Sequence, residues 1–205
     1  MTSATDESRG SGAMSDEVTD VTDVEQLVAE ISGLRGRIAQ LQERVEQLDM
    51  LAHEDSLVDL PNRRGFVRAL ERLIDRVNRY EENAAILFVD LDGLKLINDS
   101  FGHQAGDEAL MRVARLLVDG VRKSDIVARI GGDEFAILLG HSDEDSARET
   151  AGRLADLIAE SDFSHGGRPL PLSVAIGAAP IHGDDTPETA MARADEEMYR
   201  RKAAA

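Results

Sequence analysis

The sequence has no cysteine and no tryptophan, and aromatic residues make up only 3% of it. Without thiols there is no disulfide framework, no thiolate nucleophile and no Cys-held metal. No apolar run approaches the roughly 20 residues that a bilayer-spanning helix needs. The opening stretch MTSATDESRG has neither the basic start nor the apolar segment of a secretory leader. A cytoplasmic protein with no membrane partner is expected. Basic residues are also in short supply, with 23 Lys and Arg against 40 Asp and Glu, for a net charge of -17. Such an excess disfavours nonspecific binding to nucleic acid or to an anionic membrane. It leaves room for a nucleotide held locally through metal ions.

Hydrophobic residues make up 42% of the 205, enough for one sizeable core plus an appendage. Composition divides the chain in three. Residues 1–22 are mostly small, polar and acidic and are expected to form a disordered tail. Residues 23–53 are strongly periodic. Residues 54–205 mix apolar runs with turn-forming clusters and form the expected domain.

In the periodic segment the apolar residues are Val24, Leu27, Ile31, Leu34, Ile38, Leu41, Val45 and Leu48. Their steps alternate between three and four, which is the heptad of a coiled coil. With Val24 at a, every a position is β-branched and every d is Leu, the combination that favours a parallel two-stranded coil. Across that dimer Glu30 meets Arg35 and Arg44 meets Asp49, both attractive. A homodimer is expected. The segment His53 to Asp59 reads as a hinge between stalk and domain.

Beyond Pro61 the elements can be read in order. Residues 60–80 form a helix with Phe66, Leu70, Leu73, Ile74 and Val77 on one face. AAILFVDL is a buried strand. Residues 106–121 form a helix. IVARI and FAILL are strands joined by the short GGDE turn, hence a hairpin. Ser142 is the expected cap of a further helix. LSVAIGA is a strand, and the last helix has Thr186 as cap and Pro187 at its first position. After the first helix the order is strand, helix, strand, strand, helix, strand. This is an α+β arrangement with a ferredoxin-like βαββαβ core.

That topology makes a chemical prediction. A crossover helix makes the first and second strands parallel, so both finish at one edge of the sheet. Asp90, near the end of the first strand, and Asp133, in the hairpin, then meet there. Carboxylates brought together repel unless a cation lies between them. Oxygen ligands without Cys or His suit Mg²⁺, which keeps waters and takes phosphate oxygens. Read alone, GGDE is equally an ordinary polar turn, since Gly and Asp dominate turns. A second cluster adds weight: DLDGLKLINDSFGHQAGDEAL gathers Asp90, Asp92, Lys95, Asn98, Asp99 and Asp107 around one strand-to-helix loop. Ionised Asp can accept the paired N–H groups of guanine, and Lys can meet a phosphate as a point charge. Asp99 and His103 read equally well as helix-terminal residues facing water.

From about Asp55 to Lys202 the chain resembles the GGDEF domain of bacterial diguanylate cyclases. DSLVDLPNRR resembles the opening motif of that family, with Val58 where Thr is usual. DLDGLKLINDSFGHQAGD resembles its metal and guanine segment. ARIGGDEF matches its signature, and ADEEMYRRK resembles its closing helix. The resemblance implies a nucleotide-cyclase or polymerase-palm type of fold. It implies condensation of two GTP into cyclic di-GMP with loss of two pyrophosphates, across a dimer in which each domain holds one GTP. It also implies site residues. Asp90, Asp133 and the carbonyl of Leu91 hold a pair of Mg²⁺ ions, for which Mn²⁺ can substitute. Glu134 supports the metal site, and Asp133 helps deprotonate the attacking 3′-hydroxyl. Asn98 and Asp107 read guanine, while Lys95 and Lys202 meet the phosphates. Arg122 and Asp125, in RKSD ahead of the signature, match the family's inhibitory product site; by itself R-x-x-D also fits a surface ion pair. An Arg often found four residues beyond the Lys that Lys202 matches has no counterpart before Ala205, so weaker phosphate binding is expected. The alternative is a GGDEF domain that only binds GTP or cyclic di-GMP, whose expected sign would be a broken signature or a lost metal acid. Neither occurs in this sequence.

Overall fold

The structure, a computed structural model, describes the backbone of residues 13–204 and the side chains of residues 26–45 and 52–203. The chain divides into two units, Met1–Asp49 and Met50–Ala205. Residues 1–12 of the expected tail, and the side chains of Val24, Leu48 and Asp49 in the expected coil, lie outside the described residues. Helix α1 spans Ala13–His53 and so reaches back into the stretch that composition marked as tail. A helix closes its own backbone hydrogen bonds and needs no core to do so. Along α1 the a and d residues Leu27, Ile31, Leu34, Ile38, Leu41 and Val45 are between 48% and 65% exposed.

The second unit is built on a four-stranded antiparallel sheet in the order β2-β3-β1-β6. Its strands are β1 (Ala84–Leu91), β2 (Ile126–Arg129), β3 (Glu134–Gly140) and β6 (Val174–Ile181). Both β1 and β2 run antiparallel to β3 and hence parallel to each other, as the βαββαβ order requires. Every residue of β1 is buried because helices cover both faces of the sheet. Ala85, Leu87, Val89 and Leu91 pack on the side of α4 (His103–Asp119) and α5 (Glu144–Ala159). Ala84, Ile86 and Phe88 face the opposite side, toward α2 (Arg63–Tyr80) and α6 (Pro187–Ala204). The period-2 alternation of a strand decides which residue joins which layer.

Several boundaries differ from the sequence reading. The helix expected over residues 106–121 is α4, which begins three residues earlier, and a separate helix, α3 (Leu94–Phe101), precedes it across Gly102. The cap of α5 is Asp143, whose side chain accepts from the Ser146 N–H at 2.9 Å; Ser142 lies one residue too early to reach it. Strand β6 continues to Ile181 through Pro180, which an edge strand tolerates because one side of its ladder is unpaired. A small hairpin, β4 (Ser164–His165) with β5 (Arg168–Pro169), went unread because two-residue strands carry no periodicity.

The segment expected to act as a hinge is tied down. The Asn62 side chain donates to the carbonyls of Ala52 and Glu54, at 3.1 and 3.0 Å, and accepts from the N–H groups of Arg64 and Gly65. Asp55 Oδ1 accepts from Leu57 N–H at 2.9 Å, from Val58 N–H at 3.0 Å and from Arg129 Nη1 at 3.0 Å. Arg129 Nη2 then donates to the carbonyl of Gly132 at 2.7 Å. Val58 and Leu60 are buried in the core, so the Val in place of Thr fills apolar space. Flexion within residues 53–59 would break these bonds.

Burial alone would raise the pKa of Asp55, but the N–H groups of Val58 and Leu57 and the Arg129 guanidinium outweigh it and hold the carboxyl below its usual range. The stabilisation from its charge is therefore complete above the ordinary carboxylate range and is lost as pH falls through the lower native value. Asp55→Asn should cost about 1.5–3 kcal/mol at pH 7, the usual worth of hydrogen bonds to a charged group. In chemical denaturation the gap between parent and variant should close under acid conditions; a gap independent of pH would remove the charge from this account.

Candidate active site

Strand parity places the acids. Asp90 has the parity of Ile86 and Phe88, so it lies on the α2 and α6 face at the end of β1. Its backbone partner across the ladder is Glu134, the first residue of β3. One step further the Leu91 N–H donates to the Asp133 carbonyl at 2.9 Å. Two distant stretches of sequence, one carrying Asp90 and the other the adjacent Asp133 and Glu134, are thus fixed at one corner of the sheet. Asp90 is 8% exposed, and it is one of only two buried polar residues among the described residues.

The two glycines of the turn have different roles. A Cβ on Gly131 would stand 2.2 Å from Glu134 Oε2, so this glycine lets the Glu134 carboxylate fold back over the turn. A Cβ on Gly132 would meet nothing within 4 Å. Neither has positive φ, so the pair is not there to make a left-handed turn.

The charge at this corner is unbalanced. Burial, followed by the neighbouring carboxylates of Asp133, Asp90 and Asp195, pushes the Glu134 carboxyl above its usual pKa, against a smaller opposing pull from Arg63. One cation already answers Asp90: Lys202 Nζ, from the last turn of α6, donates to Asp90 Oδ1 at 2.6 Å. The hydrogen bond to Asp90 raises the Lys202 pKa most, and burial lowers it; the charges of Asp90, Asp92 and Asp133 raise it further. The donor set fits Mg²⁺. It is all oxygen, it carries excess negative charge, and an ammonium stands in for a cation on one of its carboxylates. Among the described residues no three His, Cys, Asp or Glu side chains converge into a complete metal cage. Mg²⁺ is usually held by one or two carboxylates and completes its shell with waters and substrate phosphates.

The expected guanine readers lie on the neighbouring α3–α4 pair. The side chain of Asn98 presses so close to α4 that a Cβ on Gly106 would stand 2.1 Å from Asn98 Oδ1. That oxygen is buried and has no hydrogen-bond partner, an unmet acceptor beside Asp107. Asp107 and Lys95 are both exposed. Asp92 is tied to Ser173, whose Oγ donates to Asp92 Oδ2 at 2.9 Å, which steadies the loop between β1 and α3.

Arg122 and Asp125 form a turn of their own. The Arg122 N–H donates to Asp125 Oδ2 and the Asp125 N–H to the Arg122 carbonyl, both at 2.9 Å. Asp125 therefore meets the backbone of Arg122, and its Oδ1 is buried without a partner. The two residues border a cavity of about 520 Å³ together with Val118 and Lys123. Arg129 and the orphan acceptor of Asn98 were not read from the sequence. Arg129 stands in ARIGGDEF like any strand-end cation, and only the fold brings Asp55 to it.

The profile of the family described as "Diguanylate cyclase, GGDEF domain" matches residues 52–205. The chain belongs to the GGDEF domain family. The chain is 40% identical over 164 residues to diguanylate cyclase TpbB of Pseudomonas aeruginosa, covering 78% of this chain and 38% of that protein. The chain thus spans well under half the length of that relative. The solved GGDEF domain of the same Pseudomonas protein superimposes with a TM-score of 0.71 at 38% identity, over 75% of this chain and 90% of that one. The coiled coil and GGDEF domain of DgcB from Caulobacter crescentus, solved with cyclic di-GMP, matches with a TM-score of 0.80, over 87% of this chain and 95% of that one. At 24% identity that match speaks for the fold alone. The GGDEF fold places Asp90, Asp133, Glu134 and Lys202 together at one corner, with Asn98 and Asp107 on the α3–α4 pair and Arg122 and Asp125 in a separate turn.

Proposed function

We propose that this chain is a diguanylate cyclase, condensing two GTP into cyclic di-GMP and two pyrophosphates. The observation that carries the reading is the corner where Asp90, Asp133 and Glu134 meet with unbalanced negative charge, within a GGDEF domain 40% identical to a diguanylate cyclase. Asp90, Asp133 and the carbonyl of Leu91 hold Mg²⁺, with Glu134 in support. When bound, Mg²⁺ neutralises charge on the phosphates and lowers the pKa of a hydroxyl beside it. Asn98 and Asp107 read guanine, with the exposed Asp107 carboxylate accepting from its N–H groups. Lys95 and Lys202 meet the phosphates. Asp133 takes the proton of the 3′-hydroxyl of one GTP as that oxygen bonds to the α-phosphorus of the other, and the bond to pyrophosphate breaks. The same step in the opposite sense closes the ring.

Because each domain holds one GTP, two domains must face each other. A parallel coiled coil over residues 23–53 would make that meeting intramolecular for the domains of residues 54–205. It would raise the effective concentration of one near the other to about millimolar. The exposed a and d residues of α1 support this partner, a second copy of the chain. Arg122 and Asp125 form the inhibitory site for product. The backbone link between them leaves the guanidinium available to a guanine or a phosphate.

Three measurements test this reading. Asp133→Asn should abolish formation of cyclic di-GMP from GTP and Mg²⁺ while leaving circular dichroism unchanged; product at the parental rate would sink the metal assignment. Arg122→Ala should retain its initial rate when cyclic di-GMP is added, whereas the parent slows; equal inhibition of both would leave RKSD as a surface turn. Replacing Leu34 and Leu41 with Asp places charges that a coil cannot bury unpaired. The double variant should be monomeric by light scattering, and its activity per chain should climb with protein concentration. Full, concentration-independent activity from a monomer would separate the stalk from catalysis.

A further inference from the structure

Lys202 has two partners in view, Asp90 in the free protein and the phosphates of a bound nucleotide. Its ammonium lies 2.6 Å from Asp90 Oδ1, while its side chain is 47% exposed at the end of α6. The Asp90 side chain is only 11% exposed, so the ammonium covers much of the small face that Asp90 presents. Mg²⁺ bonded to the same oxygen would stand about 2.1 Å from it. A divalent ion and an ammonium held that close to one oxygen would be roughly 3–4 Å apart, where like charges repel strongly even at an effective dielectric constant near 20. One must leave. The protein offers no complete cage to tilt the contest toward the metal, since no three ligating side chains converge among the described residues. The phosphates of a nucleotide change both sides of the balance. They add oxygen ligands for the metal and a new anionic partner for a lysine whose flexible stem lets it swing.

We propose that Lys202 holds the cation position of Asp90 in the free protein, so that metal binding at Asp90 waits on a nucleotide whose phosphates draw the ammonium away. The proposal rests on the reading of Asp90 as a metal ligand. Its consequence is reciprocal: metal and nucleotide each tighten the other by one factor, because the coupling is a free energy shared by both sites. Lys202 acts here as a positioning residue, and its effect on metal affinity is distinct from its later contact with phosphate. The free protein would then avoid carrying a divalent ion into the site with no substrate to receive it.

The test is Mn²⁺ binding to the full chain, followed by electron paramagnetic resonance at a fixed ionic strength. Without nucleotide, Lys202→Met should bind Mn²⁺ tighter than the parent by roughly tenfold or more, within the usual range of coupling between sites. Lys202→Arg keeps the charge and should resemble the parent. Arg200→Met removes the same charge from the same helix, where Arg200 pairs with Glu196 and Glu197, and should leave Mn²⁺ affinity unchanged. The double variant Asp90→Asn with Lys202→Met should lose the gain, locating it at Asp90. Equal affinities of Lys202→Met and parent would overturn the proposal. So would a gain that survives in the double variant or is matched by Arg200→Met. The underlying metal assignment has its own arm, in which parent and Asp90→Asn are titrated with Mn²⁺ in the presence of guanosine α,β-methylene triphosphate. Loss of Mn²⁺ in Asp90→Asn upholds Asp90 as a ligand whatever Lys202 does; undiminished binding there removes the assignment itself.

Discussion

Like charges at the corner of the sheet are the constraint around which the domain is arranged. Asp90 and Glu134 face each other across the β1–β3 ladder, and the carbonyl of Asp133 is bonded to the next N–H of β1. Backbone hydrogen bonds fix where these side chains begin, so their charges share one corner of the sheet. The cost appears in the Glu134 carboxyl, held neutral to higher pH than usual by burial and its neighbours. A packed sheet with helices on both faces supplies the rigidity that such a site needs. Ion binding then has something to gain, because a cation relieves repulsion that folding has already imposed.

Two cations outside the cluster show how the fold manages this corner. Lys202 reaches it from α6 and neutralises Asp90. Arg129 stays behind the turn, where it joins the Gly132 carbonyl to Asp55 near the start of the domain. The turn that carries Asp133 is thus braced against the segment that follows α1. The segment read as a hinge thus carries specific bonds within the domain, with Asn62 holding the carbonyls of Ala52 and Glu54. Polar residues in a short linker look mobile from composition; here their side chains are consumed by specific backbone partners.

What could be read in advance followed from local physics. The apolar run AAILFVDL is strand β1 end to end, and the βαββαβ order brought Asp90 and Asp133 to one edge before any coordinates were needed. The face of α2 carrying Phe66, Leu70, Leu73, Ile74 and Val77 is buried as its spacing requires. Errors gathered where competing signals were equally strong. Ser142 and Asp143 are both good caps, and only the helix register chose between them. The polar run after β1 concealed α3, because Asn and Asp also favour turns.

The sequence by itself determined the element order, the hydrophobic alternation that layers the core, and which residue types reach the acidic corner. These depend on periodicity and on chain connectivity, which are properties of a linear string. Tertiary structure alone decided that Lys202 pairs with Asp90, that Arg129 bridges Asp55 and Gly132, and that Asn98 is left with an unmet acceptor against Gly106. Each of these joins residues from different elements, or depends on close contact between them. Hydrogen bonds and like-charge repulsion change steeply over such distances, whereas the burial pattern written in the sequence fixes position only to within a layer or a face.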